Sequence, residues 1–368
     1  MAGRIVLFGA TGYTGRLVAD ALVERGERPL LAARNVQRLR EMGDALGGLE
    51  IAVADVSRPE SVRELVERGD VMLSTVGPFT RYGQPAAEAA VSAGAHYLDS
   101  TGEPPFIRQV FEEYGPRAQS AGCGMVTAFG YDWVPGNLAG ALALREAGES
   151  AVRVAIGYYN TGDTSGGMSG GTQASAAGAM LEPAYGWRDG RLQTERGGKR
   201  LANFDVKGRR RPAISVGSSE HFSLPRLYPD LREVDVYLGW FGPLSRPLQA
   251  MSAGLALGTT VPGVKAALDA VMSRAVKGST GGPDAETRAK SGAYIVAMAY
   301  DDGGRQLSEV RVAGVNGYDF TGRILAWGAS TAASRGLEGA GALGPVEAFG
   351  LDELEAGCRE TGLERVAA

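Results

Sequence analysis

The stretch "RIVLFGATGYTG", residues 4–15, restricts the fold more than any other part of the chain. "RIVLF" is a continuous apolar run of the kind that a parallel strand buries on both faces. Gly9, Gly12 and Gly15 follow, and Leu17, Val18, Ala21 and Leu22 then recur at helical spacing. In a strand–turn–helix unit of this kind the backbone can approach a pyrophosphate closely. The helix N-terminus then holds the negative charge. The residues expected to meet such a ligand are Gly9, Thr11, Gly12, Tyr13, Thr14 and Gly15. The alternation continues through "PLLAA", "EIAVA", "VMLST", "HYLDS" and "GMVTA", each separated from the next by a helical pattern. Short strands with helical crossovers predict an α/β fold, a Rossmann-type doubly wound parallel sheet. At 368 residues the chain is too long for one small core and suits two domains.

The end of the second strand is unusual. Units of this type commonly keep an acid there to hold a ribose diol. "LLAARNVQRLR" instead places Arg34 at that point and Arg38 one helical turn later. A 2′-phosphate carries about two negative charges, which an acid repels and a guanidinium grips through two hydrogen bonds. This predicts NADP(H), with Arg38 closing over the adenine or adding a second charge. The competing reading is two solvated residues at a helix start. Asp55, ending the third strand with Val56 beside it, is expected to face the adenine amino group or to cap the helix near Arg58. After the fourth strand, "STVGPFTRYG" brings Val76, Gly77 and Pro78 to where the nicotinamide end of a dinucleotide arrives. Phe79 and Tyr82 there offer aromatic faces and a hydroxyl, unless the segment is a structural turn with core aromatics.

Composition excludes several classes. Two cysteines, Cys123 and Cys358, and two histidines, His96 and His221, rule out a disulfide framework and a Cys/His zinc site, so no metal is expected. The same scarcity points to a reducing compartment. A net charge of −4 gives no general attraction to nucleic acid or to an anionic membrane. The longest uncharged stretch, residues 247–264, is broken by glycine and shorter than a membrane span needs. A first strand beginning at Arg4 leaves no room for a signal peptide. The expectation is a cytoplasmic protein with no membrane span; the sequence leaves homo-oligomer formation open.

Four stretches in order, "GATGYTG", "TVGPFTRYG", "AHYLDSTGEPPF" and "AFGYDWVPGNL", followed by "SGGMSGGTQAS", resemble the saccharopine dehydrogenase-like family. That family includes saccharopine reductases and trans-acting enoyl reductases, and "SGGT-x-A-S" with the turn after strand four favours the enoyl-reductase branch. Tyr131 stands where that branch usually has Phe, and Asn137 where Asp is common. The resemblance implies a dinucleotide domain at residues 1–137 and a second, α+β domain inserted at 138–315, with a sheet from "AVRVAIGYYN" and "SGAYIVAMAYDD". C-terminal helices at 316–368 would then return to the first domain, and their sequence has helical apolar spacing.

Candidates for chemistry are few. No tyrosine is followed by lysine four places on, so a Tyr-x-x-x-Lys pair is absent. A His–Asp dyad has only His96 and His221 to draw on. That leaves a tyrosine, an acid or water as proton donor. "GYDWVP", residues 130–135, follows the sixth strand, and makes Asp132 and Tyr131 the first candidates, with Tyr82 third. Asp132 has a competing role as cap of the helix that begins at Pro135. Asp99 and Glu103 in "YLDSTGE" are expected to line and brace the same rim. The loop "TSGGMSGG", residues 164–171, with Thr172 and Ser175, is expected either to present N–H groups to a developing oxyanion or to form a turn before a helix.

The chain is thus read as an NADPH-dependent oxidoreductase that reduces a C=C bond of a small α,β-unsaturated metabolite or acyl thioester. The alternatives are an imine reductase and a non-catalytic NADP(H) sensor. The basic run of Lys199, Arg200, Lys207, Arg209, Arg210 and Arg211, with Asp205 among them, offers a docking surface for an acyl carrier protein or the phosphates of coenzyme A. Ordinary solvated surface is the competing reading.

Overall fold

Each of the six apolar runs forms a strand in the computed structural model, which describes residues 3–163, 183–258 and 281–367. They are β1 (Ile5–Phe8), β2 (Leu30–Ala33), β3 (Ile51–Val53), β4 (Val71–Ser74), β5 (His96–Asp99) and β6 (Gly124–Val126). β1, β2 and β4 are buried along their whole length, as strands covered by helices on both faces must be. All pair in parallel, in the spatial order β3-β2-β1-β4-β5-β6. The winding therefore reverses between β1 and β4, where sheets of this type open a crevice at the carboxyl ends of their strands. Gly341–Ala342 adds a two-residue parallel strand beside β6. A glycine-rich pair has no strand pattern of its own, which is why it is silent in the sequence.

The packing divides the chain into two units. The first comprises Met1–Gly102, Phe106–Val134 and Gly317–Leu363. Its C-terminal helix Gly317–Arg335 packs on the helix Tyr13–Glu24. Gly322 permits this approach, since an added Cβ would lie 3.0 Å from Leu17 Cβ. The rings of Phe129, Trp327 and Phe349 lie between 4.9 and 6.4 Å apart and close the C-terminal helices onto the sheet.

The second unit comprises Glu103–Pro105, Pro135–Asn316 and Glu364–Ala368. Its mixed sheet is built from β7 (Arg153–Gly162), β8 (Pro183–Arg188), β9 (Arg191–Arg196), β10 (Leu201–Val206), β11 (Arg209–Ser215), β12 (Glu233–Leu238), β13 (Ser291–Tyr300) and β14 (Gln306–Gly314). The two strands anticipated from "AVRVAIGYYN" and "SGAYIVAMAYDD" pair antiparallel along their whole length, from Arg153 with Tyr300 to Gly162 with Ser291. On one face Tyr159, Phe204, Tyr237 and Tyr294 form a core. Gly157 allows it, because an added Cβ would meet the Phe204 ring at 2.9 Å. Among the described residues no helix is long and apolar enough to cross a membrane.

Candidate active site

The glycine turn and the turn after β4 touch at the point where the strand order reverses. Gly9 has φ +92°, a conformation that an L side chain rarely adopts. An added Cβ there would lie 2.6 Å from Thr75 Oγ1 and 2.8 Å from Val76 Cγ2. The Thr75 hydroxyl donates toward the carbonyls of Phe8 (3.3 Å) and Gly9 (3.2 Å), which ties the two turns together. Thr75 is a residue that sequence reasoning missed, because a hydroxyl at a strand end has no motif of its own. Gly15 packs closest of all: an added Cβ would stand 2.2 Å from the Gly9 carbonyl oxygen. Gly12 is different, with ordinary dihedrals and only that same oxygen, at 3.2 Å, near an added Cβ. Gly12 starts the helix Tyr13–Glu24 without a side-chain cap, so the first-turn N–H groups of Tyr13, Thr14 and Gly15 receive no side-chain acceptor from it. Thr11 and Thr14 are partly exposed on this turn, and Tyr13 stands edge-on to Tyr318 at 5.3 Å.

At the other end of this edge the residues fit a phosphorylated ribose. Arg34 and Arg38 are exposed, and neither guanidinium has an ion-pair partner among the described residues. Asn35 caps the helix Val36–Ala45 by accepting the Arg38 N–H at 3.0 Å, which fixes where both arginines start. Asp55 accepts the N–H and hydroxyl of Ser57, both at 2.9 Å, and these bonds hold its carboxyl below the usual range, with help from the Arg34 and Arg58 guanidinium groups. It therefore closes its own turn. The helix Pro59–Arg63 begins at Arg58 with no side-chain cap, so the capping role read for Asp55 is not the one it plays. Val53 (43% exposed) and Val36 (39%) leave apolar surface beside Arg34, with Val56 half-exposed nearby in sequence.

Val76, Gly77 and Pro78 follow β4 as predicted, with a cis bond between Gly77 and Pro78. Phe79 is 5% exposed and tilts against Phe106 at 5.6 Å, so it is core rather than a ligand face. Tyr82 is half-buried, with the Arg81 guanidinium 5.1 Å over its ring.

The rim beyond β5 and β6 carries two aspartates with opposite fittings. Asp99 is fully buried, and its Oδ1 accepts the N–H groups of Thr101 and Ala128, both at 2.9 Å, while Oδ2 accepts the Thr127 hydroxyl at 2.8 Å. Burial raises its carboxyl and those same three donors pull it back, which leaves it at about 6. The bracing role read for Asp99 is the one it plays. Asp132 has no such support. Its Oδ1 is shut off from solvent and meets no hydrogen-bond donor, and burial alone pushes its carboxyl up to about 7. Oδ2 would lie 2.9 Å from a Cβ added at Gly102. The following helix, Val134–Ala147, takes no cap from Asp132. Tyr131 is 6% exposed, its N–H donates to Thr321 Oγ1 at 2.9 Å, and its ring lies against Gly317. Glu103 is buried and belongs to the second unit. The loop 164–171, with Thr172 and Ser175, lies outside the described residues.

The two histidines are accounted for elsewhere. His96 Nδ1 accepts the Gly124 N–H at 3.1 Å, and burial holds its ring below the usual pKa. His221 is buried against Ser218 and Tyr185 and is held at about 4.

Residues 5–126 match the family model of the saccharopine dehydrogenase NADP binding domain. The matching segment lies within the first unit. A match to an NADP binding domain agrees with exposed Arg34 at the end of β2, where an acid would stand for NAD, and with Arg38 one helical turn later. The chain is also similar to the trans-acting enoyl reductase of Mycobacterium ulcerans (strain Agy99), at 43% identity over 140 residues, 36% of this chain and 34% of the relative. It is 39% identical over 191 residues to a putative trans-acting enoyl reductase of Mycobacterium tuberculosis (strain ATCC 25618 / H37Rv), covering 48% of this chain and 43% of the relative. The matches thus span less than half the length of either relative. Apo saccharopine dehydrogenase (L-Glu forming) from Saccharomyces cerevisiae shares the fold, with a TM-score of 0.60 at 12% identity over 99% of this chain and 100% of that one.

Proposed function

We propose that the chain reduces the C=C bond of an α,β-unsaturated acyl substrate with NADPH, and that Asp132 supplies the proton. The observation that carries this is the Asp132 carboxyl: half-buried, with Oδ1 shut off from solvent and unpartnered, and poised near neutrality at the carboxyl end of the sheet. NADPH, when bound, supplies the hydride. One proton must then reach the carbon that does not receive the hydride, and an acid with a pKa near the working pH suits that task. Asp132 holds the proton at neutral pH, gives it up as the enolate collapses, and regains one from solvent before the next turnover. The relatives named as enoyl reductases support the choice of C=C over C=N. Turnover of enoyl thioesters with NADPH, and its loss in Asp132→Asn, tests the reading.

Recognition of NADPH is assigned to Arg34, with Arg38 beside it and Val36 and Val53 as apolar contacts for the adenine. Losing a charge-assisted pair to the 2′-phosphate costs about 1.5–3 kcal/mol, which is about ten- to hundredfold in affinity. Arg34→Ala should therefore bind NADPH that much more weakly and leave NADH binding nearly unchanged. Titration of both cofactors by fluorescence checks this, and equal weakening of the two would contradict the assignment.

The basic run is more divided than its sequence suggests. Lys199 pairs with Glu195 at 3.2 Å, and Arg200 pairs with Glu195 and with Asp235. Arg211 donates to the Asn160 carbonyl at 3.0 Å and lies over the Tyr159 ring. Lys207, Arg209 and Arg210 remain exposed at the β10–β11 turn. If the substrate arrives on an acidic carrier, these three residues are the surface that steers it. Arg209→Ala/Arg210→Ala should then remove most of the salt dependence of kcat/KM on a carrier-bound substrate while leaving a small uncharged enone unaffected. An unchanged salt dependence in the double variant would identify the turn as ordinary surface.

A further inference from the structure

We propose that Asp99 is a positioning residue that sets the place of the Asp132 carboxyl by holding both walls around it; this rests on the reading of Asp132 as proton donor. Asp99 ends β5 and touches neither wall by chance. Its Oδ1 takes the Thr101 N–H, and Gly102, the next residue, is the one whose added Cβ would press on Asp132 Oδ2. The same oxygen takes the Ala128 N–H, Oδ2 takes the Thr127 hydroxyl, and the Asp99 carbonyl takes the Phe129 N–H at 2.7 Å. Ala128 sits at φ +59°, a region in which alanine stays only when its surroundings hold it. From there the chain is stapled onward: the Trp133 N–H donates to the Ala128 carbonyl at 2.8 Å, and the Val134 N–H to the Gly130 carbonyl at 3.0 Å. Asp132 lies inside that stapled turn. One buried carboxylate thus ties the β5 end, which carries Gly102, to the β6 end, which carries Asp132.

The role is geometric. An asparagine at position 99 can turn its carbonyl oxygen to the two N–H groups and its NH₂ to the Thr127 hydroxyl, which keeps every bond. An alanine keeps only the backbone bond from the Phe129 N–H. Nothing in the surroundings of Asp132 besides burial shifts its carboxyl, so the charge of Asp99 is not what holds it.

The test is a ¹³C-carboxyl NMR titration of the full chain. The signal lost in Asp132→Asn is that of Asp132, at whatever pH it titrates. In Asp99→Ala that signal should move down by at least about one unit toward the ordinary aspartate value of about 4, because the walls part and water reaches the oxygen. NADPH affinity should stay within about twofold, since the glycine turn lies elsewhere, and kcat should fall with little change in KM. Asp99→Asn should titrate like the wild type. An Asp132 signal that ignores Asp99→Ala, or that moves as far in Asp99→Asn, overturns the positioning role. Should Asp99→Ala fail to fold, Thr127→Val, which removes only the bond to Oδ2, carries the test: a smaller downward shift is expected, and no shift overturns it. An Asp132 signal already near 4 in the wild type overturns both readings, whereas a raised signal that ignores Asp99→Ala overturns the positioning role alone, so the two failures are distinguishable.

Discussion

Asp132→Asn is expected to lower kcat by about 10²- to 10⁴-fold and to leave NADPH binding intact, because a positioned general acid contributes about that much. The variant has nearly the shape of the wild type but no proton to give. The pH dependence carries the same signature. The acid form is the active one, so the wild-type rate should be level below about pH 7 and fall about tenfold per unit above it, following a carboxyl that burial holds at about 7. The variant should lose that limb. Stability should move the other way. A carboxyl whose folded pKa is raised binds its proton more tightly in the folded state, so its favourable contribution is full below the unfolded value of about 4 and is lost as the pH rises through about 7. At pH 8 the folded wild type keeps a partly buried charge that asparagine avoids. Asp132→Asn should therefore melt higher than the wild type at pH 8 and lose that advantage at pH 5. Removing a functional charge from a partly desolvated site gains stability at the expense of rate. A variant that keeps its rate would show that the proton comes from elsewhere.

Gly12→Val should abolish NADPH binding while the protein still folds, whereas Gly15→Val should fail to fold properly. The difference lies in about one ångström of space. At Gly12 an added Cβ meets only the Gly9 carbonyl, at 3.2 Å, and the residue already has dihedrals open to any side chain, so the turn can give way slightly. The isopropyl group then fills the space in which a pyrophosphate would approach the backbone. At Gly15 the same oxygen would stand 2.2 Å away with the Ala10 carbonyl at 2.8 Å, which no small shift relieves. At one hundred times its Kd, NADPH stabilises a protein by about 2.7 kcal/mol. The wild type should show that rise in a thermal melt, and Gly12→Val should show none from a near-normal baseline. A rise that survives in Gly12→Val would put the dinucleotide elsewhere.

The sheet of the first unit was legible because β1 to β6 are short apolar runs, with β1, β2 and β4 buried on both faces, and the crossovers between them have helical spacing. The close packing of Gly9 and Gly15 was legible because a tight strand-to-helix turn needs glycine at that spacing. Gly341–Ala342 was not, since its pairing comes from β6 and from nothing in its own side chains. The site was half legible. Arg34 and Arg38 stood out against the acid normally found there, but Val36 and Val53 look like any other strand and helix valines until their exposure is seen. Asp99 and Asp132 are both aspartates at strand ends, and sequence treats them alike. Only the count of donors around each separates the brace from the bare acid. The basic run misled in a similar way: a row of cations reads as one patch, while buried Glu195 and Asp235 and the Asn160 carbonyl had already claimed half of it.

The most direct measurement is NADPH consumption, followed at its absorbance band, with α,β-unsaturated thioesters, free enones and cyclic imines at equal concentration, and the products identified by mass. The account predicts turnover with the enoyl thioesters, a saturated product two hydrogens heavier, and loss of that turnover in Asp132→Asn. NADPH that binds but is consumed with none of these substrates, or only with imines, would contradict it.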